Sequence, residues 1–131
     1  MKKILITLIC ALMLLCACSK EEELNGIADC VNSFESNNFY NLSIIANRKE
    51  IDNKEEFALQ LIEQVRNNDF HTILFSYDVK GFPVGLEMRV YLTEQDKANG
   101  DLFMCVRFTQ ENSVNGYNIV DDYEKFVLEI I

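Results

Sequence analysis

The sequence contains few of the residues from which catalytic and metal centres are usually built. Its 131 residues include one histidine, one proline and five glycines, and only two of its five cysteines lie beyond residue 18. A lone histidine, His71, without a close pair of cysteines argues against a structural zinc site. The sequence also lacks the Gly-x-Ser-x-Gly motif and a phosphate-binding glycine loop. We therefore predict no catalytic residues, no metal and no cofactor, and a protein that is not an enzyme.

Basic residues are scarce as well. The sequence has 12 Lys and Arg against 21 Asp and Glu, a formal net charge of −9. Because nucleic-acid binding requires basic side chains that neutralise phosphates, nucleic acid is not an expected partner. An acidic surface suits a basic protein partner. The alternative is that the negative charge only keeps the protein soluble.

The longest uncharged stretch lies at the amino terminus. Lys2 and Lys3 precede residues 4–15, which carry no charge. A helix that crosses a bilayer needs about 20 apolar residues, so this shorter stretch is typical of the hydrophobic region of an export signal.

The end of this stretch, Leu15-Cys16-Ala17-Cys18, resembles the lipobox of bacterial lipoproteins. Leu15 is the aliphatic residue at −3, Ala17 the small residue at −1, and Cys18 the obligatory cysteine at +1. The resemblance covers the first eighteen residues. It implies cleavage before Cys18, acylation of Cys18 and a membrane anchor made of that lipid. The alternative is an ordinary secretory signal with an incidental cysteine.

The resemblance divides the chain into a signal peptide over 1–17, an acidic tether over 18–23 and one domain over 24–131. The tether has no aspartate directly after Cys18, the feature associated with retention of lipoproteins in the inner membrane of some bacteria. It continues Ser-Lys-Glu-Glu-Glu. A lysine followed by acidic residues resembles the surface-export signal of lipoproteins in one Gram-negative lineage. This resemblance implies a domain outside the cell, tethered to the outer membrane. The predicted location is therefore the outer membrane, on either the periplasmic face or the cell surface. The alternative is a solvated spacer.

Apolar periodicity predicts three helices, over about 23–36, 53–67 and 118–131. The second has the clearest start, because Asn53 can cap it and Glu56 completes a capping box. Alternating apolar residues predict strands over 71–79, 86–93 and 102–109, and residues 40–51 suggest a further strand or small hairpin. The predicted fold is α+β: a small antiparallel sheet, made of a three-strand meander and a possible extra strand, with helices packed on one face.

Two cysteines remain once the signal is removed and Cys18 is acylated. Cys30 falls in the first predicted helix and Cys105 in the predicted sheet. An exported protein can form a disulfide between them, and otherwise both are small buried apolar residues.

The predicted strands place one set of polar and aromatic side chains on the sheet face away from the helices: Glu87, Arg89, Tyr91, Phe103 and Arg107. Two arginines among aromatic residues are typical of a recognition patch. The loop over 80–85, with an exposed Phe82, is a second candidate contact. The alternative for the charged residues is cross-strand ion pairing of Glu87 with Arg89 or Arg107.

These observations predict a membrane-anchored lipoprotein with a small non-enzymatic binding or inhibitor domain. An immunity-type protein that blocks a toxin is one specific version. The alternative function is a structural or assembly accessory of an envelope complex. In both cases the partners are the membrane, through the lipid on Cys18, and a protein.

Overall fold

The computed structural model describes residues 24–112 and 116–131. They form five strands, β1 (Asp29–Ser36), β2 (Phe39–Ile45), β3 (Gly85–Tyr91), β4 (Met104–Gln110) and β5 (Phe126–Ile130). The helices are α1 (Lys54–Asn67) and the short α2 (Tyr77–Lys80) and α3 (Glu94–Asn99), and a 3-10 turn (Tyr123–Lys125) precedes β5. The predicted α+β class is confirmed. The predicted signal peptide, Cys18 and the acidic tether lie outside the described residues.

The five strands form one sheet in the order β1-β2-β3-β4-β5. All neighbours are antiparallel except β2 and β3, which run parallel. Two parallel strands need a crossover connection, and α1 lies in this one. The sheet is therefore mixed, and it is larger than the small antiparallel sheet predicted from the sequence, a three-strand meander with a possible extra strand.

The helix α1 forms where the sequence predicted it. Asn53 caps it, since its side-chain oxygen accepts the Glu56 backbone N–H at 3.1 Å. The helix ends at Asn68, which adopts the left-handed conformation with φ 53°. The Asn68 side chain then bonds both the N–H (2.7 Å) and the C=O (2.8 Å) of Phe75, and these bonds hold the following loop against the helix.

The predicted helix over 23–36 is wrong, because this segment contains β1. Asn37 and Asn38 both have positive φ, 51° and 60°, and they form the tight turn that pairs β1 with β2. The apolar residues at helical spacing do not lie on one buried side, so they do not stabilise a helix. The segment instead pairs with β2 along the whole length of that strand. Ile27 and Phe34, two of those residues, are 63% and 68% exposed.

Two further predicted elements differ from the structure. Residues 71–76 form a loop and residues 77–79 are the first three of α2, so the predicted strand over 71–79 is absent. Two of its alternating residues, Phe75 and Tyr77, are apolar because they stack on each other beside Tyr40. The predicted helix over 118–131 is a turn followed by β5. Asn118 does accept N–H bonds from the next residues, but the chain leaves the turn and pairs with β4.

The core lies between α1 and one face of the sheet, the covered face. Four buried residues of α1 pack with buried residues of the three central strands: Phe57, Leu61, Ile62 and Val65 against Leu42, Ile44, Met88, Val90 and Val106. No helix within the described residues is long and apolar enough to span a membrane. The same residues contain no group of three His, Cys, Asp or Glu side chains that could hold a metal ion.

Candidate partner-binding face

The sheet has a second face, the open face, which points away from the α1 core. The strand register aligns its side chains in two rows that run across the strands. The first row is Phe34, Asn41, Glu87, Arg107 and Glu129. The second row is Asn32, Ser43, Arg89 and Cys105.

A shallow trough of about 290 Å³ runs along the open face. Its floor is β2, where Asn41 and Ser43 are short, and its walls are the longer side chains of β1 and β3. Phe34 stands on one side and Arg89 on the other, and the 68% exposed Phe34 ring is available to a ligand. The complete lining is Asn32, Phe34, Asn41, Leu42, Ser43, Glu87 and Arg89.

The two arginines of the predicted patch differ in their partners. Arg107 Nε lies 2.9 Å from Glu87 Oε2, and this hydrogen bond with the Glu87 carboxylate raises the pKa of Arg107. The cross-strand ion pair expected as the alternative is thus present for Arg107. Arg89 is exposed, and no salt bridge to it is found within residues 24–112 and 116–131.

The aromatic members of the predicted patch are dispersed. Tyr91 lies two residues from Arg89 on β3 and is half-buried. Phe103 packs against the core beneath Lys54, whose Nζ is 4.9 Å from its ring centroid, so Phe103 is not part of the trough. Phe82 is half-buried and packs edge-on to Tyr77, with 5.5 Å between ring centroids, so its predicted exposure is wrong.

Sequence reasoning missed the β1 and β2 side of the trough. The apolar spacing predicts a helix at Phe34, and Asn41 and Ser43 fall within residues 40–51, for which the sequence suggests only a strand or small hairpin. The adjacent asparagines at 37 and 38 could have predicted the hairpin of β1 and β2. Asparagine tolerates positive φ, which both residues of a two-residue hairpin turn require.

The remaining cysteines do not meet. Cys30 is buried on the covered face of β1, whereas Cys105 is half-buried on the open face of β4, and both thiols are free. Three strand spacings amount to about 14 Å, and a disulfide needs Cα atoms within about 7 Å. The disulfide considered from the sequence is therefore incompatible with this fold. Burial raises the pKa of Cys30 to about 12 and also raises that of Cys105, which makes neither thiol a ready nucleophile.

His71, the one histidine, is exposed, and its backbone N–H donates to Asp29 Oδ1 at 3.0 Å. The Thr72 N–H and hydroxyl donate to the same carboxylate. Burial opposes ionisation of Asp29, but these hydrogen bonds outweigh it and lower its pKa. The contact fastens the loop after α1 to the start of β1.

No protein-family model, curated protein or solved structure matches this chain.

Proposed function

We propose that this chain is a lipoprotein anchored through Cys18, and that its domain is a non-enzymatic module that binds a protein partner through the trough of the open face. The observation that carries the proposal is Arg89, an exposed guanidinium with no salt bridge in the described part of the chain, across the trough from the exposed Phe34 ring.

The chemistry of the trough favours binding over catalysis. Its lining includes one hydroxyl, from Ser43, and no histidine or cysteine that could act with it. Glu87, the one carboxylate of the lining, is held by Arg107. Arginine and exposed aromatic residues, in contrast, are the side chains that most often dominate protein interfaces.

The side chains that line the trough indicate which chemical groups a partner would place in it. A carboxylate can form a charge-assisted pair with the Arg89 guanidinium, and an apolar side chain can pack on Phe34. A formal charge of −9 over the whole chain favours approach by a partner that is basic elsewhere on its surface. An inhibitor of a basic toxin, held at the membrane by its lipid, fits this description.

The trough is tested by affinity measurements on the partner that copurifies with the full-length protein. Arg89→Ala and Phe34→Ala should each weaken binding at least about tenfold, a size typical of interface hot spots. Lys49→Ala removes an exposed charge in a loop, and Leu74→Ala removes a side chain that is 69% exposed. Both controls should bind normally.

Unchanged affinity of both trough variants would contradict the proposal. The identity of the copurified partner decides between the two functions. A secreted toxin whose activity is blocked would support the inhibitor role, and envelope machinery would instead favour an assembly accessory.

The anchor is tested separately by labelling cells with radioactive palmitate. The wild-type protein should take up the label and Cys18→Ala should not, because the acceptor thiol is gone. Incorporation that survives Cys18→Ala would overturn the lipobox assignment. Protease digestion of intact cells then distinguishes the cell surface from the periplasmic face.

A further inference from the structure

The two edges of the sheet are protected to different degrees. The edge strand β1 has a register shift between Cys30 and Asn32 and is largely polar beyond it, with the sequence NSFES. The edge strand β5 has no register shift and reads FVLEI, with Glu129 as its one charged residue. Proteins usually guard sheet edges with bulges, prolines or charges, because an unguarded edge pairs with other chains.

The outward backbone groups of β5 are in position for such pairing. Cys105 and Ile131 exchange both of their N–H···O bonds, at 3.0 and 2.9 Å. Backbone direction alternates along a strand, so the N–H and C=O groups of Leu128 and Ile130 point away from β4. Among the described residues, no strand pairs with β5 on that side.

We propose that β5 is a strand-addition site, at which a partner adds an extended segment that places a basic residue opposite Glu129. This contact is separate from the trough and does not require it. The backbone ladder would supply the attraction, and the side chains beside the edge would select the segment.

Charge complementarity identifies the occupant. Glu129 is exposed and opposes Arg107 in the register, but the salt bridge of Arg107 is made to Glu87. An incoming strand would find two exposed apolar residues, Val127 (49%) and Ile131 (60%), on either side of that carboxylate. The side chains facing them should therefore read apolar, basic, apolar at alternate positions. A second copy of this acidic chain offers no basic residue within its own β5.

The test uses the full lipidated chain in detergent micelles and an acetylated, amidated peptide, Thr-Val-Thr-Lys-Thr-Val-Thr. Amide hydrogen exchange followed by NMR should show the Leu128 and Ile130 amides protected at least about tenfold by the peptide near 1 mM. The Ser33 amide on β1, which the register also directs outward, should stay unchanged.

Substitutions sharpen the result. A peptide with Glu in place of Lys should bind about fivefold more weakly, and Glu129→Lys should reverse this preference. Leu128→Pro removes an outward N–H without touching the β4 ladder and should abolish the protection, whereas Ser33→Pro should not. If Leu128→Pro does not fold, the Glu129→Lys reversal carries the test.

Three results would overturn the proposal. The first is absence of protection at Leu128 and Ile130, and the second is protection of β1 in place of β5. The third is protection that appears without peptide and rises with protein concentration, since this would identify a second copy as the occupant.

Discussion

The covered and open faces are made by the same strands and differ in how their side chains are satisfied. On β3, Leu86, Met88 and Val90 are fully buried against the helix side, while Glu87 and Arg89 between them face solvent. No polar or charged residue is buried among the described residues, so the interior of the covered face is apolar. Polar contacts that tie α1 to the sheet, such as the bond from the Gln64 side chain to the Ala28 carbonyl, lie outside that fully buried core. The open face carries the short polar side chains of Asn41 and Ser43 and one cross-strand ion pair, between Arg107 and Glu87. We therefore expect the stability of the fold to depend on the covered face, whereas the open face is the one that we propose for partner binding.

The largest expected effect is on the covered face. Leu61 is fully buried in α1, and Leu59, two residues earlier, is 37% exposed. Leu61→Ala should lower the free energy of unfolding by about 3 kcal/mol, since it leaves a cavity in the core. Leu59→Ala should lower it by less than about 0.5 kcal/mol. Urea denaturation measures both, and equal losses would show that the stability of the fold does not depend on the core at the covered face.

The labelling rates of the two free cysteines, Cys30 and Cys105, should distinguish the covered face from the open face. Cys30 has no exposed surface, and burial raises its pKa to about 12, whereas Cys105 is half-buried on the open face. A maleimide should label Cys105 at least about 100-fold faster than Cys30, because Cys30 reacts only when the structure opens. Mass spectrometry locates the adducts, and the two rates should converge in urea. Similar rates in the folded protein would show that the covered face is open to solvent.

The covered face was partly predictable because its signals are local. The cap at Asn53 and the spacing of Phe57, Leu61 and Val65 lie within a few helical turns, and the structure forms that helix. Alternation likewise located β3 and β4 to within about two residues at each end, the usual uncertainty of element boundaries.

The open face could be predicted only in part, because it depends on which strands become neighbours. Alternation along β3 and β4 placed Arg89 and Arg107 on one face, as observed. Nothing local indicates that β2 runs parallel to β3 and brings Asn41 beside Glu87. The apolar spacing in residues 118–131 also fits a helix, and the choice of β5 was made by pairing with β4. Long-range pairing thus determined the elements that periodicity left ambiguous.

An intermediate effect is expected where Asp29 joins the loop after α1 to the edge of the sheet. Its pKa is lowered in the fold, so its stabilisation is present above the unfolded pKa of about 4 and is lost as the pH falls through the folded value. Asp29→Asn should cost about 1 kcal/mol at pH 6, where charged hydrogen bonds are lost in a partly exposed site. The two unfolding free energies should approach each other below pH 4.

Thr72→Val is the matched control for this prediction, because it removes only the hydroxyl donor to the same carboxylate. It should show a smaller loss with the same dependence on pH. A difference between Asp29→Asn and the wild type that stays constant from pH 6 to below pH 4 would show that the Asp29 charge does not contribute.

The smallest effect is expected for the ion pair of the open face. The side chains of Arg107 and Glu87 are 45% and 22% exposed, and exposed pairs contribute little because water screens them. A double-mutant cycle with Glu87→Gln and Arg107→Gln should give a coupling close to the error of urea denaturation, and it should fall further in 1 M salt. A coupling as large as the loss expected for Leu61→Ala would mean that this ion pair holds the fold together and that the open face also carries its stability. A small coupling would agree with the proposal that the open face binds a partner, because Glu87 beside the trough could then change its contacts at little cost in stability.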